Sequence, residues 1–297
     1  MTYNMDKLFE EVAAKGNVCI GLDTAADYVP EKERCRSVSD AEAILNYNKT
    51  LVDATLDIAA CYKVQIAYYE ELGLAGLKTY SQTLKYIRDR GALVIADIKR
   101  GDIADTASRY ARAHFEGDFE ADFVTLSPYL GMDAIDPWLS WADNKGKGAF
   151  VLMRTSNKGM KDFQYLELKG TVPRLYDAVG DRLSELAEIR MGKYGYGAFG
   201  AVVGATGEEK EEAKAIRSKR PNLFFLIPGY GAQGGAAEDA ALLLREGNGG
   251  VVNASRSILK AWSTSLDKAA ADYMFAAEKA REAAVSMRDA IRMYFLK

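Results

Sequence analysis

Histidine is nearly absent from this chain, which has only His114. That excludes a histidine-based catalytic triad and any multi-histidine metal centre. Cysteine is almost as scarce: Cys19, Cys35 and Cys61 are odd in number and show no CxxC spacing, which fits reduced thiols and a cytoplasmic protein. No apolar run approaches the ~20 residues of a membrane span, so no membrane partner is expected. The first stretch, "MTYNMDKLFEEVAAKG", is acidic and amphipathic and lacks the basic-then-apolar order of a signal peptide. There is no basic excess either. The net charge is −3 and no basic stripe interleaves with aromatics, so no nucleic-acid partner is expected.

What is present is a repeated pattern. Short, almost continuously apolar runs occur at 17–23, 61–67, 92–98, 122–127, 148–154, 200–205, 223–229 and 249–254. Strands buried on both faces read this way. Segments of helical period lie between them. Residues 39–60 open with Ser39 and Glu42 at capping-box spacing, 69–90 stop at Gly91, and 207–220 carry acids in the first turn and bases in the last. Eight such alternations predict an α/β fold of the (β/α)8 TIM-barrel type. An open doubly wound sheet is the rival, but no GxGxxG follows the first strand. With no linker or low-complexity tract, residues 1–297 are expected to form a single domain. Insertions are expected after strand one (24–38) and strand five (155–197, with a helix at 175–191), and a closing helix over 266–297. Loops after strands lie on the face where barrels keep their chemistry, so a lid is expected there.

Charge collects at the ends of three successive strands. "ALVIADIKRGDIADTA" (92–107) turns abruptly from apolar residues to Asp97, Lys99 and Asp102. Strand two carries Lys63 among apolar neighbours, and strand one ends in Asp23. Residues i and i+2 of a strand share a face, so Asp97 and Lys99 both point into the barrel mouth or both away from it. A lone charge run would be a solvated loop. Charges at equivalent positions on three strands instead imply a convergent, mutually perturbing network. Phosphate is the second theme. "PGYGAQGG" (228–235) follows strand seven and "VVNASRS" (251–257) follows strand eight, the two loops with which barrels often hold phosphate. Gly234 and Gly235 let the backbone approach an anion, while Gln233 and Arg256 offer side-chain donors.

Together "GLD", the strand-two lysine, "DIKRGDI", "SPYLGMD", "PGYGAQGG" and "SRSI" resemble the orotidine 5'-monophosphate decarboxylase family, in its longer bacterial type, over about residues 17–260. The resemblance implies cofactor-independent and metal-independent conversion of orotidine 5'-monophosphate to uridine 5'-monophosphate. Lys63, Asp97, Lys99 and Asp102 match the family's alternating Lys-Asp-Lys-Asp tetrad. Asp102, with Thr106 beside it, would be donated across a homodimer interface into the neighbouring site. Asp23 and Lys63 match the ribose-binding positions. Ser156, next to Thr155, matches the serine that reads the pyrimidine amide, and Gln233 and Arg256 match the phosphate contacts. Two rivals are a metal-dependent phosphosugar decarboxylase or aldolase on the same barrel and a catalytically silent nucleotide-binding barrel. The strand-two lysine argues against the first, because that scaffold wants an acidic metal ligand there.

The remaining rare residues have plain roles. Cys19 and Cys61 are expected in the core, Trp138 and Trp141 in helix packing, Tyr68 and Tyr69 in the core or at a dimer interface, and His114 on a helix surface or dimer edge.

Overall fold

The computed structural model describes residues 2–170, 173–205, 210–231 and 236–296. Eight parallel strands close into a barrel in sequence order. They are β1 (Val18–Gly21), β2 (Cys61–Gln65), β3 (Val94–Arg100), β4 (Phe123–Leu126), β5 (Gly148–Arg154), β6 (Phe199–Val203), β7 (Phe225–Ile227) and β8 (Gly250–Ala254). β1 pairs with both β2 and β8, which closes the ring.

Alternation along the strands makes two cores. Every strand sends a residue inward: Cys19, Cys61, Ile95, Phe123, Phe150, Val202, Leu226 and Val251 form one cluster. Met5, Leu8 and Val12 of the first helix, Asn4–Lys15, join that cluster from the N-terminal end of the strands. The outward residues, such as Ile20, Val64, Val124 and Val252, pack under the surrounding helices in the larger cluster. Burying each large apolar side chain contributes roughly 1.5–3 kcal/mol, so the filled interior is a main source of stability. It also leaves the C-terminal mouth as the open end.

Element ends differ from the expected ones in instructive places. β3 was expected at 92–98 but runs on through Lys99 and Arg100, so the charged residues belong to the strand itself. β2 stops at Gln65 because Ala67–Glu70 turns helical before helix Gly73–Asp89. Helix Asp40–Thr55 is capped by Ser39, whose hydroxyl accepts from the Glu42 N–H at 3.2 Å. The Glu42 carboxylate reaches back to the N–H of Val38 at 2.7 Å, one residue earlier than a capping box requires. The closing helix is shorter than its expected span, covering Tyr273–Arg292, and is capped by Asp272. It packs on helix Asp40–Thr55, where the Tyr47 and Tyr273 rings lie 6.2 Å apart.

His114 is not on a helix surface. It is 2% exposed, on the buried face of helix Ala104–Phe115 and 5.9 Å from the Phe119 ring. Burial, helped by the charge of Arg100, pushes its pKa down to about 4. The unfolded imidazole titrates near 6.5, so between these values the unfolded chain holds more protons than the folded one. Folding stability therefore falls as pH drops through that window, by about 2 kcal/mol at pH 4.5 relative to pH 7. Urea unfolding of His114→Leu should lack this increment. An identical pH dependence in parent and variant would show that His114 does not carry it.

Candidate active site

The charged residues do converge. Asp23 lies two residues beyond β1, Lys63 is level with Gly21 and Ile95, and Asp97 is level with Gln65. Lys63 Nζ lies 3.2 Å from Asp23 Oδ1 and 2.7 Å from Asp97 Oδ2. Lys99 Nζ lies 2.6 Å from the other Asp97 oxygen, Oδ1. The result is a continuous chain of alternating sign, Asp23–Lys63–Asp97–Lys99. Lys63 and Asp97 are each only 5% exposed, whereas the Lys99 side chain is 48% exposed at the open end.

Burial alone would neutralise such groups. For Asp97 burial pulls the pKa upward, but the charges of Lys63 and Lys99 outweigh it and hold the carboxyl well below the usual carboxylate range. For Lys63 burial pulls downward, and the charges of Asp23 and Asp97 outweigh it, keeping the ammonium charged above its ordinary range. Two cations and two anions cancel, which is how buried charges persist.

Four further side chains complete the network, and the sequence reading missed them. Gln65 Nε2 donates to Asp97 Oδ2 at 3.1 Å. Thr125 Oγ1 donates to Asp97 Oδ1 at 2.8 Å and accepts from the N–H groups of Ile98 and Lys99 at 3.0 and 2.9 Å. Ser255 Oγ donates to Asp23 Oδ2 at 2.8 Å, and Asn253 Nδ2 donates to Ser255 at 3.4 Å. Period-two alternation was the available signal for Gln65, Asn253 and Ser255: each shares a face with a residue already pointing into the barrel. The end of β1 is fixed from behind by a buried polar group. Tyr69 donates to the carbonyl of Leu22 at 2.9 Å and accepts from Asn48, which also accepts from Thr24. Tyr69 is thus a core residue.

Beside this network is a cavity of about 590 Å3 at the C-terminal ends of the strands. Asp23, Lys63, Asp97 and Lys99 line one part, Ser156 lines the loop after β5, and Arg256 lines the loop after β8. Leu152, Val202 and Leu226 supply apolar lining. Gly204 lies so close to Ser156 that a Cβ would meet its backbone at 2.8 Å, so glycine is what lets the β5 and β6 loops pack together here. Gly21 does the same for Ser255, whose hydroxyl would lie 2.0 Å from a Cβ. Arg256 begins the short helix Arg256–Leu259 directly after β8.

Two expected site residues lie elsewhere in the single chain. Asp102 stands two residues before helix Ala104–Phe115, its carboxylate accepting from the Ile103 N–H at 2.9 Å, and Thr106 is exposed on that helix. Neither lines the cavity. Gln233, Gly234 and Gly235 lie outside the described residues. Among the described residues no group of three or more His, Cys, Asp or Glu side chains could hold a metal ion, and no helix is long and apolar enough to cross a membrane.

Residues 16–271 match the family model described as Orotidine 5'-phosphate decarboxylase / HUMPS family. The chain is 55% identical over 292 residues to an orotidine 5'-phosphate decarboxylase of Clostridium perfringens, covering 98% of this chain and 99% of that one. It is 54% identical to the enzyme of the same name from Clostridium kluyveri, with 97% and 96% covered. A crystal structure of a putative orotidine 5'-phosphate decarboxylase from Streptomyces avermitilis superposes with a TM-score of 0.80 at 30% identity, covering 100% of this chain and 97% of that one. Leishmania donovani UMP synthase aligns at a TM-score of 0.75 and 33% identity, with 98% of this chain matching 57% of that longer one.

Proposed function

The chain belongs to the orotidine 5'-phosphate decarboxylase family, and from that premise we propose how its site removes CO2 from orotidine 5'-monophosphate to give uridine 5'-monophosphate in pyrimidine biosynthesis. The observation that carries the reading is the buried Asp23–Lys63–Asp97–Lys99 chain, which ends in a half-exposed ammonium lining a cavity that Arg256 also lines.

Breaking the bond between C6 and the carboxylate leaves an electron pair on C6, with no adjacent carbonyl of the usual kind to accept it. A fixed cation beside C6 is what this step needs. Lys99 stabilises that charge and then gives C6 a proton, and solvent reprotonates the amine. Asp97 keeps Lys99 charged and aimed. At an effective dielectric of ~20, unit charges ~4 Å apart interact by roughly 4 kcal/mol, which is enough to hold that arrangement against thermal disorder. Asp23 and Lys63 meet the ribose hydroxyls, and Ser156 reads the pyrimidine amide. Arg256, with Gln233 and the backbone of Gly234 and Gly235, holds the phosphate. Binding energy taken there, remote from C6, helps close the loops and exclude water.

Asp102 completes the tetrad of a second copy, with Thr106 beside it. Its place outside its own cavity supports this, as does the exposed apolar rim formed by Ile103, Tyr129 and Leu130, which a homodimer would bury. The chain is taken as one barrel domain, acting in the cytoplasm and needing no cofactor.

The test is the absorbance change when orotidine 5'-monophosphate meets purified protein in EDTA. Rapid conversion to uridine 5'-monophosphate is expected. Turnover that required added Mg2+ would instead favour a metal-dependent reaction on the same barrel.

A further inference from the structure

We propose that Thr125 is the positioning residue that sets the Lys99 ammonium at the reacting carbon. The proposal rests on the role given to Lys99 above and names what holds that lysine in place. Lys99 has a backbone φ of +45°, a left-handed conformation that a long side chain seldom adopts. The β3–β4 register shifts between Ala96 and Arg100, so the chain carrying Lys99 departs from a regular ladder where aim matters most. Across that shift one hydroxyl makes three hydrogen bonds. Thr125 Oγ1 accepts from the Ile98 N–H at 3.0 Å and from the Lys99 N–H at 2.9 Å, and donates its proton to Asp97 Oδ1 at 2.8 Å.

A hydroxyl has one donor and two lone pairs, and Thr125 uses all three. The Asp97 oxygen that it meets is the one that accepts the Lys99 ammonium at 2.6 Å. Thr125 therefore fixes both ends of the lever: the backbone from which the Lys99 side chain springs and the carboxylate that receives its tip. It is 1% exposed and stands on β4, a strand that supplies none of the tetrad, so its own place is set by barrel packing and not by the residues it orients.

The experiment is steady-state kinetics of Thr125→Val and Thr125→Ser, with uridine 5'-monophosphate binding by calorimetry and thermal unfolding recorded for each. Valine keeps the shape and removes the hydroxyl. A misplacement of about 1 Å costs on the order of 100-fold in rate, so Thr125→Val should lower kcat by about that factor while KM and product affinity stay within about threefold. Serine keeps the three hydrogen bonds and should restore kcat to within about threefold of the parent. Parental kcat in Thr125→Val overturns the proposal. A serine variant as slow as the valine one, or a loss of product affinity as large as the loss of kcat, overturns it as well, because the defect would then be one of packing. If the valine variant does not fold, Thr125→Ala, which only removes atoms, replaces it in the same comparison. Lys99→Ala assayed alongside separates the two readings: an active Lys99→Ala enzyme defeats the role of Lys99, whereas an inactive one beside a fully active Thr125→Val defeats only that of Thr125.

Discussion

Lys99→Ala should lower kcat by about 10,000-fold or more while uridine 5'-monophosphate still binds. The size follows from two losses at one atom. A positioned general acid contributes about 100- to 10,000-fold, and one preorganised charge at a developing anion contributes about 100- to 1,000-fold. The fold should survive the change. Lys99 is the exposed end of the chain, and Asp97 would keep its bonds to Lys63, Gln65 and Thr125. Asp97 would then have one neighbouring ammonium in place of two, and its carboxyl pKa would rise from its present low value. On the proposed reading nucleotide affinity comes mainly from other cavity residues, Arg256 among them, so titration with product should give a dissociation constant within about tenfold of the parent. Single-turnover measurement of CO2 release checks the chemical step directly. A variant that releases CO2 within tenfold of the parental rate has no need of an ammonium at that position, and the proposed mechanism would have to be abandoned.

The strands were legible because parallel strands covered on both faces read as unbroken apolar runs. β5 falls at 148–154 in both readings, and each of the eight runs overlaps a strand. Where charge enters a strand the apolar signal fails: the run ends at Ile98 although β3 extends through Lys99 and Arg100. The stretch "ALVIADIKRGDIADTA" therefore places its acid and its base on one rigid element, with Asp97 and Lys99 two residues apart and directed into one mouth. Four of the five catalytic or sugar-facing candidates, Asp23, Lys63, Asp97 and Lys99, lie within one hydrogen-bonded chain, the fifth being Asp102. Thr125 was not legible because its importance comes from a register shift between β3 and β4, a relation between strands that no spacing within one segment records. Tyr69 and Asn48 are similar, since their bonds to the end of β1 join three separate segments. His114 is a different kind of miss. Ala107, Ala111 and His114 recur at helical spacing on the buried face of helix Ala104–Phe115, so the pattern was available and only the residue's polarity argued for the surface.

Mixing Lys99→Ala with Asp102→Ala protein should restore about a quarter of parental activity after full subunit exchange. Each variant alone should be nearly inactive, because every site of a symmetric dimer would then lack the same group. In the mixed dimer the two lesions segregate. One site combines the altered Lys99 of one subunit with the altered Asp102 of the other, and its counterpart combines the two intact residues. Random exchange of equal amounts makes about half of the dimers mixed, and half of their sites whole, which leaves about one site in four. Asp102 supports this arithmetic by its position: it stands just before the helix beginning at Ala104, outside the lining of its own cavity and beside exposed Ile103. The same geometry distinguishes the model from a simpler one in which Asp102 swings into its own site. In that case each chain would carry both residues of its own site, every subunit in the mixture would be damaged, and mixing would recover nothing however complete the exchange. Native mass spectrometry of the mixture establishes the fraction of mixed dimers, and activity plotted against that fraction should rise linearly from near zero. A flat line would assign Asp102 to its own chain and leave the exposed rim without a catalytic reason to pair.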